Sequence, residues 1–205
     1  MRYVIGLTGG IACGKSSVSA ILAALGAEIL DADRIGHEVL KKGQAAYADV
    51  VAEFGRQILD GREEIDRKIL GPIVFSDSKK LKRLNSLTHP HIINNIVKQI
   101  STKDGIMILD AALLFEAGLD GLCDEIWIVQ AKKEQQIARI LLRDGIDRRE
   151  ALRRIESQDN RLKEAQEAAY VLDNSGSLAE LESEVKRLYH RAEHICGEKR
   201  RKSSS

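Results

Sequence analysis

The chain has 205 residues, of which 43% are hydrophobic and 31% are charged, and its formal net charge is +1. This composition predicts a globular protein with a sizeable core, and the small net charge excludes an overall attraction to nucleic acid or to an anionic membrane. No apolar run approaches the roughly 20 residues that a membrane helix needs, so we expect a soluble protein.

The cysteines and the N-terminus point to a cellular compartment. Cys13, Cys123 and Cys196 are odd in number and far apart, which argues against both a disulfide framework and a cysteine zinc site. The N-terminus runs directly into a predicted strand, so it does not resemble a signal peptide. We therefore expect the protein in the reducing environment of the cytoplasm.

A glycine-rich motif follows the first predicted strand. The spacing G-x-x-x-x-G-K-[ST] of a phosphate-binding loop is matched by Gly9-Gly10-Ile11-Ala12-Cys13-Gly14-Lys15-Ser16. An apolar run at residues 3–7 predicts a buried strand before the motif, and residues 18–25 show the apolar period of a helix after it. This strand, turn and helix are the context that a phosphate-binding loop requires.

The motif can hold the phosphates of a nucleoside triphosphate. Glycines let backbone N–H groups curl around phosphate oxygens, and the helix N-terminus adds unpaired donors and a partial positive charge. Lys15 is expected to reach the terminal phosphates, while the Ser16 hydroxyl ligates Mg²⁺. The predicted nucleotide-binding residues of the loop are Gly10, Ile11, Ala12, Cys13, Gly14, Lys15, Ser16 and Ser17.

Two acids end the second predicted strand, which covers residues 27–33. Because ligands of open α/β sheets bind at the carboxyl ends of strands, Asp31 and Asp33 are expected beside the phosphate loop, and they share a face if the strand extends that far. We interpret one of them, preferably Asp33, as the general base for an acceptor hydroxyl, with a helix N-cap as the alternative role. His37 follows Asp33 by four residues, which places both on one helix face if the helix has begun.

Residues 34–103 are predicted to be largely helical and to bind the acceptor. Within this region the pair Gly71-Pro72 predicts a turn, and Pro90 is expected in the first turn of the following helix. His91 is interpreted as a hydrogen-bonded structural residue.

The remaining predicted strands complete a parallel sheet. The third strand, at residues 106–110, ends in Asp110, and this pattern is typical of the carboxylate that orients Mg²⁺ opposite the loop serine. Residues 113–116 follow as a short helix or turn. The fourth and fifth strands lie at residues 125–129 and 170–173, and helices between strands imply right-handed crossovers.

An arginine-rich segment at residues 139–166 precedes the fifth strand. Most of its arginines are expected on a solvated helix surface. Phosphoryl transfer, however, needs cations over the transferring group, and a closing lid can supply them while excluding water. We select Arg143 first and Arg139 second for this role, because a spacing of four places them on one helix face.

The last predicted helix packs on the core through an apolar stripe between residues 178 and 195. Within it, His190-Arg191-Ala192-Glu193-His194 matches the zinc-protease pattern H-x-x-E-H. Both histidines lie off the apolar stripe, so we interpret them as solvent-facing side chains rather than zinc ligands. The basic segment 199–205 is expected to be disordered.

These features favour a small kinase over other nucleotide-binding proteins. The Asn-Lys-x-Asp signature of a guanine site is absent, and a motor-type ATPase needs a longer chain. A kinase for another nucleoside or nucleotide acceptor stays an alternative, as does a non-catalytic ATP-dependent binding module. Such a module would tolerate the loss of Asp33.

The sequence also resembles the dephospho-CoA kinase family over nearly its whole length, up to about Leu188. The resemblance rests on Leu7-Thr8-Gly9-Gly10-Ile11, Asp31-Ala32-Asp33 with His37, His89-Pro90, Leu113-Leu114-Phe115-Glu116, Arg139, Arg143, Gln158, and Ala169-Tyr170-Val171-Leu172-Asp173-Asn174-Ser175-Gly176. It implies that ATP phosphorylates the ribose 3′-hydroxyl of dephospho-CoA, the last step of coenzyme A synthesis, giving CoA and ADP.

The resemblance also implies roles for individual residues. The position of Asp33 resembles that of the base at the acceptor hydroxyl, and the position of Arg143 resembles that of the lid cation. Together with Lys15, these two residues form the implied catalytic set. Asn174 and Gly176 resemble the turn near the adenine, and Arg139 is also implied to bind the nucleotide. The implied acceptor-binding residues are Asp33, His37, His89, Leu114, Phe115, Glu116 and Arg161, and the metal ligands are Ser16 and Asp110.

Two sites depart from the family pattern. Ala112 stands where the family usually has proline, directly before Leu113-Leu114-Phe115-Glu116. We expect the replacement of proline by alanine to loosen the turn at these residues. Ala12-Cys13 replaces the commoner Gly-Ser, so position 12 needs a backbone angle that tolerates a methyl group. Cys13 lies near Lys15 and a helix N-terminus, which lower a thiol pKa, so it is either a reactive thiol that ATP protects from alkylation or a small buried filler.

The predicted fold is therefore α/β, a three-layer α/β/α P-loop NTPase with a five-stranded parallel sheet, a helical acceptor-binding insertion and a helical lid. Residues 1–33, 104–138 and 167–205 form the nucleotide-binding core, residues 34–103 bind dephospho-CoA, and residues 139–166 form the lid. The expected partners are ATP and dephospho-CoA, without nucleic acid or membrane, and the expected state is a monomer or weak homo-oligomer.

Overall fold

The computed structural model describes residues 2–164 and 169–202. The strands are β1 Arg2–Gly9, β2 Glu28–Asp31, β3 Gly105–Asp110, β4 Glu125–Gln130 and β5 Tyr170–Asp173. The α-helices are α1 Lys15–Ala24, α2 Ala32–Glu38, α3 Tyr47–Phe54, α4 Arg67–Phe75, α5 Ser78–Ser101, α6 Lys133–Asp144, α7 Arg148–Glu164 and α8 Leu178–Lys202. Short 3₁₀ helices lie at Arg56–Ile58 and Asp120–Leu122.

The chain divides into two compact units, residues 1–30 with 103–205 and residues 31–102. The first unit is built on a sheet with the strand order β2-β3-β1-β4-β5, and its strands are parallel. In the register of the central strand, Leu7 lies opposite Asp110 on one side and Trp127 on the other. The prediction of a five-stranded parallel α/β sheet is confirmed.

The core of the first unit surrounds β1 because this strand is apolar along both faces. Ile5, Leu7 and Trp127 are fully buried, as expected for a strand covered by helices on both sides. Helices α1 and α8 contact each other and β1. A Cβ atom on Gly9 would lie 2.6 Å from the carbonyl oxygen of Val129, so this close approach of β1 and β4 requires glycine.

The second unit is helical and has its own apolar cluster. Helices α3 and α4 and the 3₁₀ turn at Arg56–Ile58 contribute its buried side chains, which are Val50, Phe54, Ile58, Leu70 and Val74, and α5 packs partly buried leucines against them. Asp66 and Asp77 cap α4 and α5, each accepting a backbone N–H bond at 2.8 Å.

Two sequence predictions for this unit are wrong. Gly71-Pro72 does not form a turn, since both residues lie inside α4, and Pro90 lies in the interior of the 24-residue helix α5 rather than in its first turn. A proline removes one helical hydrogen bond. Burial of Leu70 and Val74 in α4, and of Ile96 and Ile100 in α5, keeps the helices continuous despite that loss.

The basic tail also differs from its prediction, because α8 continues through Lys202. Lys199 anchors this end of the helix. Its Nζ atom lies 2.8 Å from Oδ1 of Asp124 and 4.8 Å from the ring centroid of Tyr3. Residues 203–205 of the predicted disordered segment lie outside the described residues.

None of the helices among residues 2–164 and 169–202 combines the length and the apolar character that crossing a bilayer demands.

Candidate active site

The phosphate-loop motif forms the turn between β1 and α1. Strand β1 ends at Gly9 and helix α1 begins at Lys15, so the predicted order of strand, loop and helix is confirmed. Gly14 is the N-cap and has a φ of 93°, while Ala12 has a φ of 57°. The left-handed region favours glycine, so the expectation that position 12 has a backbone angle that readily tolerates a methyl group is wrong, and Ala12 is strained there.

Lys15 and Asp110 meet within the first unit. The Nζ atom of Lys15 forms an ion pair with Oδ1 of Asp110, and the two side chains are only 20% and 12% exposed. Asp110 is the last residue of β3, which pairs in parallel with β1, the strand that leads into the loop. Ser16 follows in the first turn of α1 and is exposed. The predicted phosphate-binding lysine and the predicted metal-orienting carboxylate therefore lie together.

Three buried or half-buried side chains donate hydrogen bonds to successive carbonyl groups of the loop. Gln136 Nε2 lies 2.9 Å from the carbonyl oxygen of Ile11, Arg139 Nη1 lies 3.1 Å from that of Ala12, and Asn174 Nδ2 lies 2.8 Å from that of Cys13. Arg139 Nη2 also lies 3.1 Å from the carbonyl oxygen of Asn174. We call Gln136, Arg139 and Asn174 the loop brace.

Sequence reasoning selected two members of the loop brace and missed Gln136. Arg139 was expected as a lid cation and nucleotide contact and Asn174 as part of the adenine turn, whereas both side chains contact the loop backbone. Gln136 is buried beside Ile137 and Ile140 on the inner face of α6. An amide on the apolar face of an amphipathic helix was the signal available in the sequence.

Cys13 is a buried core residue, so the expectation of a lowered thiol pKa is wrong. Its side chain is 4% exposed and belongs to the main apolar cluster of the first unit. Burial raises the pKa of the Cys13 thiol, and this effect outweighs hydrogen bonding and the charge of Arg139. Gln136 Nε2 lies 3.0 Å from Cys13 Sγ. The alternative of a small buried filler fits these observations.

In the second unit, Asp31 and Asp33 adopt different positions from those predicted. Strand β2 ends at Asp31, whose Oδ1 lies 2.8 Å from the backbone nitrogen of Arg34 and caps α2. Asp33 is thus an exposed residue of the first helical turn and not the N-cap. The two acids do not share a strand face, because the cap ends the strand before Asp33.

The histidines of the second unit differ in their surroundings. His37 lies in α2 one turn after Asp33, on the same helix face as predicted. Partial burial, followed by the charge of Arg67, lowers the pKa of His37, while Asp33 and Asp31 oppose this effect. His89 lies in α5 and is partly buried, which lowers its pKa. Both imidazoles are therefore biased toward the neutral form, which can accept as well as donate a hydrogen bond.

The segment after β3 forms turns rather than a helix. Backbone bonds join Ala117 to Leu113 and Leu119 to Leu114 at 3.0 and 2.9 Å. The side chain of Leu114 is fully buried and packs in the core, whereas Glu116 is exposed. Phe115 is half-buried. Of the predicted acceptor contacts in this turn, Phe115 and Glu116 keep accessible surface.

The arginine-rich segment lies on α6 and α7. Arg143 lies in the last turn of α6 and is exposed. Its Nε and Nη2 atoms lie 2.7 and 3.0 Å from the carboxylate oxygens of Asp144. Asp144 also accepts from Arg154 Nη1 at 3.1 Å. Arg161 belongs to α7, and its side chain lies outside the described residues.

The histidines of the H-x-x-E-H sequence lie on the exposed surface of α8. His190 Nδ1 is 2.9 Å from Glu193 Oε2, and His194 Nδ1 is 3.7 Å from Glu198 Oε1. Each histidine thus pairs with a glutamate one turn further along the exposed face of α8. This agrees with the prediction that both histidines face solvent.

Comparison with known proteins gives a consistent family match. A sequence model of dephospho-CoA kinase matches residues 3–180. The chain is 46% identical over 186 residues to a dephospho-CoA kinase from Carboxydothermus hydrogenoformans, covering 89% of this chain and 90% of that protein.

Solved structures extend this likeness to the fold. A crystal structure from Thermus thermophilus shares 30% identity with a TM-score of 0.79, covering 93% of this chain and 97% of that one. A structure described as dephospho-CoA kinase from Campylobacter jejuni shares 28% identity with a TM-score of 0.72, covering 95% and 98%.

Proposed function

The chain belongs to the dephospho-CoA kinase family and uses ATP for the final step of coenzyme A synthesis, and we propose how its own residues carry out that reaction. The acceptor is the ribose 3′-hydroxyl of dephospho-CoA, and the products are CoA and ADP. Because its three cysteines are far apart and unpaired, we place the enzyme in the reducing cytoplasm, and we propose that it is a monomer or weak homo-oligomer.

The observation that carries the proposal is the ion pair of Lys15 with Asp110 at the loop between β1 and α1. A loop of this shape offers backbone N–H groups and a helix N-terminus to phosphate oxygens. Lys15 then binds the β- and γ-phosphates and stabilises the charge of the transferring phosphoryl group. Replacing Lys15 by Ala should therefore impair both ATP binding and turnover.

The oxygen donors beside the loop fit a magnesium ion. Ser16 offers a hydroxyl and Asp110 a carboxylate, both hard ligands of the kind that Mg²⁺ prefers. Mg²⁺ is commonly held by one or two protein oxygens together with phosphates and water, so this small set suffices. When bound, the metal neutralises charge on the β- and γ-phosphates.

Asp33 acts as the base for the acceptor hydroxyl. It is an exposed carboxylate in the first turn of α2, while Asp31 is committed to the N-terminal cap of that helix. Asp33 aligns the 3′-hydroxyl for in-line attack and takes its proton late, as the bond to phosphorus forms. His37 lies one turn further along α2 and contacts the acceptor from the same helix face.

The remaining assignments concern substrate orientation and the lid. We propose that Phe115, Glu116, His89 and Arg161 bind dephospho-CoA, that Asn174 and Gly176 lie near the adenine, and that Arg143 covers the transferring phosphoryl group. A cation on an exposed helix end can be delivered by a moving lid, which excludes water as it closes.

An acceptor panel tests this function. Purified protein with Mg²⁺ and ATP is offered dephospho-CoA, AMP, CMP and uridine in parallel, and ADP is measured. We expect turnover with dephospho-CoA alone and CoA as the product. Turnover confined to another acceptor would overturn the assignment of the acceptor, and ATP binding without any turnover would favour a binding module instead.

A further inference from the structure

We propose that Gln136 is a positioning residue of the phosphate loop, and that with Arg139 and Asn174 it fixes the orientation of the loop peptides that bind the triphosphate. This inference rests on the proposed role of the loop in ATP binding. It assigns Gln136 a function through the backbone of Ile11 and not through contact with either substrate.

The geometry of the peptide bond carries the first step. In a trans peptide the carbonyl of one residue and the N–H of the next point in opposite directions. The loop brace donates hydrogen bonds to the carbonyl oxygens of Ile11, Ala12 and Cys13, so these carbonyls point towards α6 and the turn after β5. The N–H groups of Ala12 and Gly14 consequently point to the other side of the loop, while the N–H of Cys13 donates to Gly10 at 3.1 Å.

Electrostatics explains why this orientation matters. Phosphate oxygens are attracted by N–H groups and repelled by carbonyl oxygens, so a single inverted peptide would replace an attraction by a repulsion. Ala12 has a φ of 57°, an angle that is unfavourable for a residue with a Cβ atom. The loop therefore needs contacts from outside to hold this conformation, and the loop brace supplies one donor for each carbonyl.

Gln136 is suited to this task by its burial and its neutrality. Its side chain lies in the interior beside Ile137, so a charged donor at this place would carry a large desolvation cost. The amide donates to the carbonyl of Ile11 and lies within reach of Cys13 Sγ. Arg139 follows three residues later on the same helix face, so one helix presents two of the three donors.

The supports of the brace are themselves fixed. The backbone nitrogen of Asn174 donates to the carbonyl of Gln130 at 2.8 Å, which extends the pairing of β5 with β4. Arg139 joins the two sides of the brace through the carbonyl of Asn174. The brace thus connects the loop to α6 and to the edge of the sheet.

The test replaces Gln136 by Met, which has a similar size and no donor. Dissociation constants for ATP and for AMP are measured by titration calorimetry or ligand-observed NMR, with melting temperature and the KM for each substrate. Gln99→Met is the matched control, because the Gln99 amide donates to Asn95 at 2.6 Å within α5. We expect Gln136→Met to weaken ATP binding about tenfold, while AMP affinity and the KM for dephospho-CoA change less than twofold.

The ratio of ATP to AMP affinity separates positioning from general damage. A loss shared equally by ATP and AMP, or an unchanged ATP affinity, would overturn the proposal. If Gln136→Met shows no cooperative melt, Gln136→Asn keeps the amide but shortens the side chain by one methylene, and the same selective loss is expected. Failure of the wild-type protein to bind ATP would instead refute the proposed function itself.

Discussion

The ammonium group of Lys15 pairs with the carboxylate of Asp110, which joins the first residue of α1 to the last residue of β3. The two residues are 95 positions apart in the chain. Their contact depends on the parallel pairing of β1 with β3, which brings the ends of both strands to one edge of the sheet. The lysine proposed to bind phosphate and the carboxylate proposed to bind metal are thereby placed side by side.

Replacing Asp110 by Asn should raise the Mg²⁺ concentration that gives half-maximal rate by about tenfold, because an amide is a weaker ligand for a hard cation than a carboxylate. The rate is measured at saturating ATP and dephospho-CoA over a series of Mg²⁺ concentrations. Asp120→Asn, at an exposed position of the 3₁₀ turn before β4, is the control. Equal Mg²⁺ dependence in both variants would exclude Asp110 from the metal site.

Replacing Ala12 by Gly should stabilise the protein by roughly 0.5–1 kcal/mol, since glycine adopts a φ of 57° without the strain that a Cβ atom causes. Part of that gain is offset by the greater entropy of glycine in the unfolded chain. The free energy of unfolding is measured by urea titration.

The control for Ala12→Gly is Ala20→Gly in the exposed middle of α1, which should destabilise by about 1 kcal/mol. If both substitutions destabilised the protein equally, the claim that the backbone is strained at Ala12 would be refuted.

Local patterns account for what the sequence could predict. The Gly, Lys and Ser residues of the loop motif lie within eight consecutive residues. Their spacing alone therefore predicts the order of strand, loop and helix. Gln136 could not be found in this way, because its contact with Ile11 spans 125 residues and depends on how α6 packs.

Tertiary packing also explains the wrong predictions. Pro72 and Pro90 are strong local signals for a boundary, yet both lie inside helices whose apolar faces are buried. The predicted strand at residues 27–33 is too long, because β2 ends at Asp31. The side chain of Asp31 caps α2, and this cap ends the strand before Asp33. For Cys13, nearby positive charge suggested a lowered pKa, but burial has the larger effect.

The stability of the first unit should fall at alkaline pH partly through Cys123. Burial, aided by Asp120 and Asp124, raises the pKa of its thiol from 9.0 to about 12. The unfolded chain therefore loses this proton at lower pH than the folded protein, so the stabilisation is complete below pH 9 and lost as pH approaches 12.

Urea titrations at pH 7, 9 and 10.5 measure this effect. Cys123→Ala should show a smaller decrease in the free energy of unfolding over this range than the wild type, because it lacks the titrating group. An identical decrease in the two proteins would show that other groups account for the pH dependence.

Replacing Arg143 by Ala should lower kcat by about a hundredfold with little change in ATP affinity, because its charge is proposed to act on the transferring phosphoryl group. Stability should change little, since the pair with Asp144 is exposed. Steady-state kinetics with dephospho-CoA measures kcat and both KM values.

Arg153→Ala is the matched control for Arg143, as Arg153 is an exposed arginine of α7 paired with Glu150. Its kcat should stay within twofold of the wild type. Equal kcat values for the two variants would remove Arg143 from the catalytic set.

The variant Asp33→Asn tests whether Asp33 is the base at the acceptor hydroxyl. The matched control is Asp31→Asn, which keeps the cap of α2 because Asn and Asp are comparable N-caps. Turnover with dephospho-CoA is measured beside the dissociation constant for ATP. We expect Asp33→Asn to lower kcat by about 10² or more and to retain ATP affinity, and we expect Asp31→Asn to stay close to the wild type. Near-normal turnover by Asp33→Asn would contradict this role and move the base to Asp31 or Asp110.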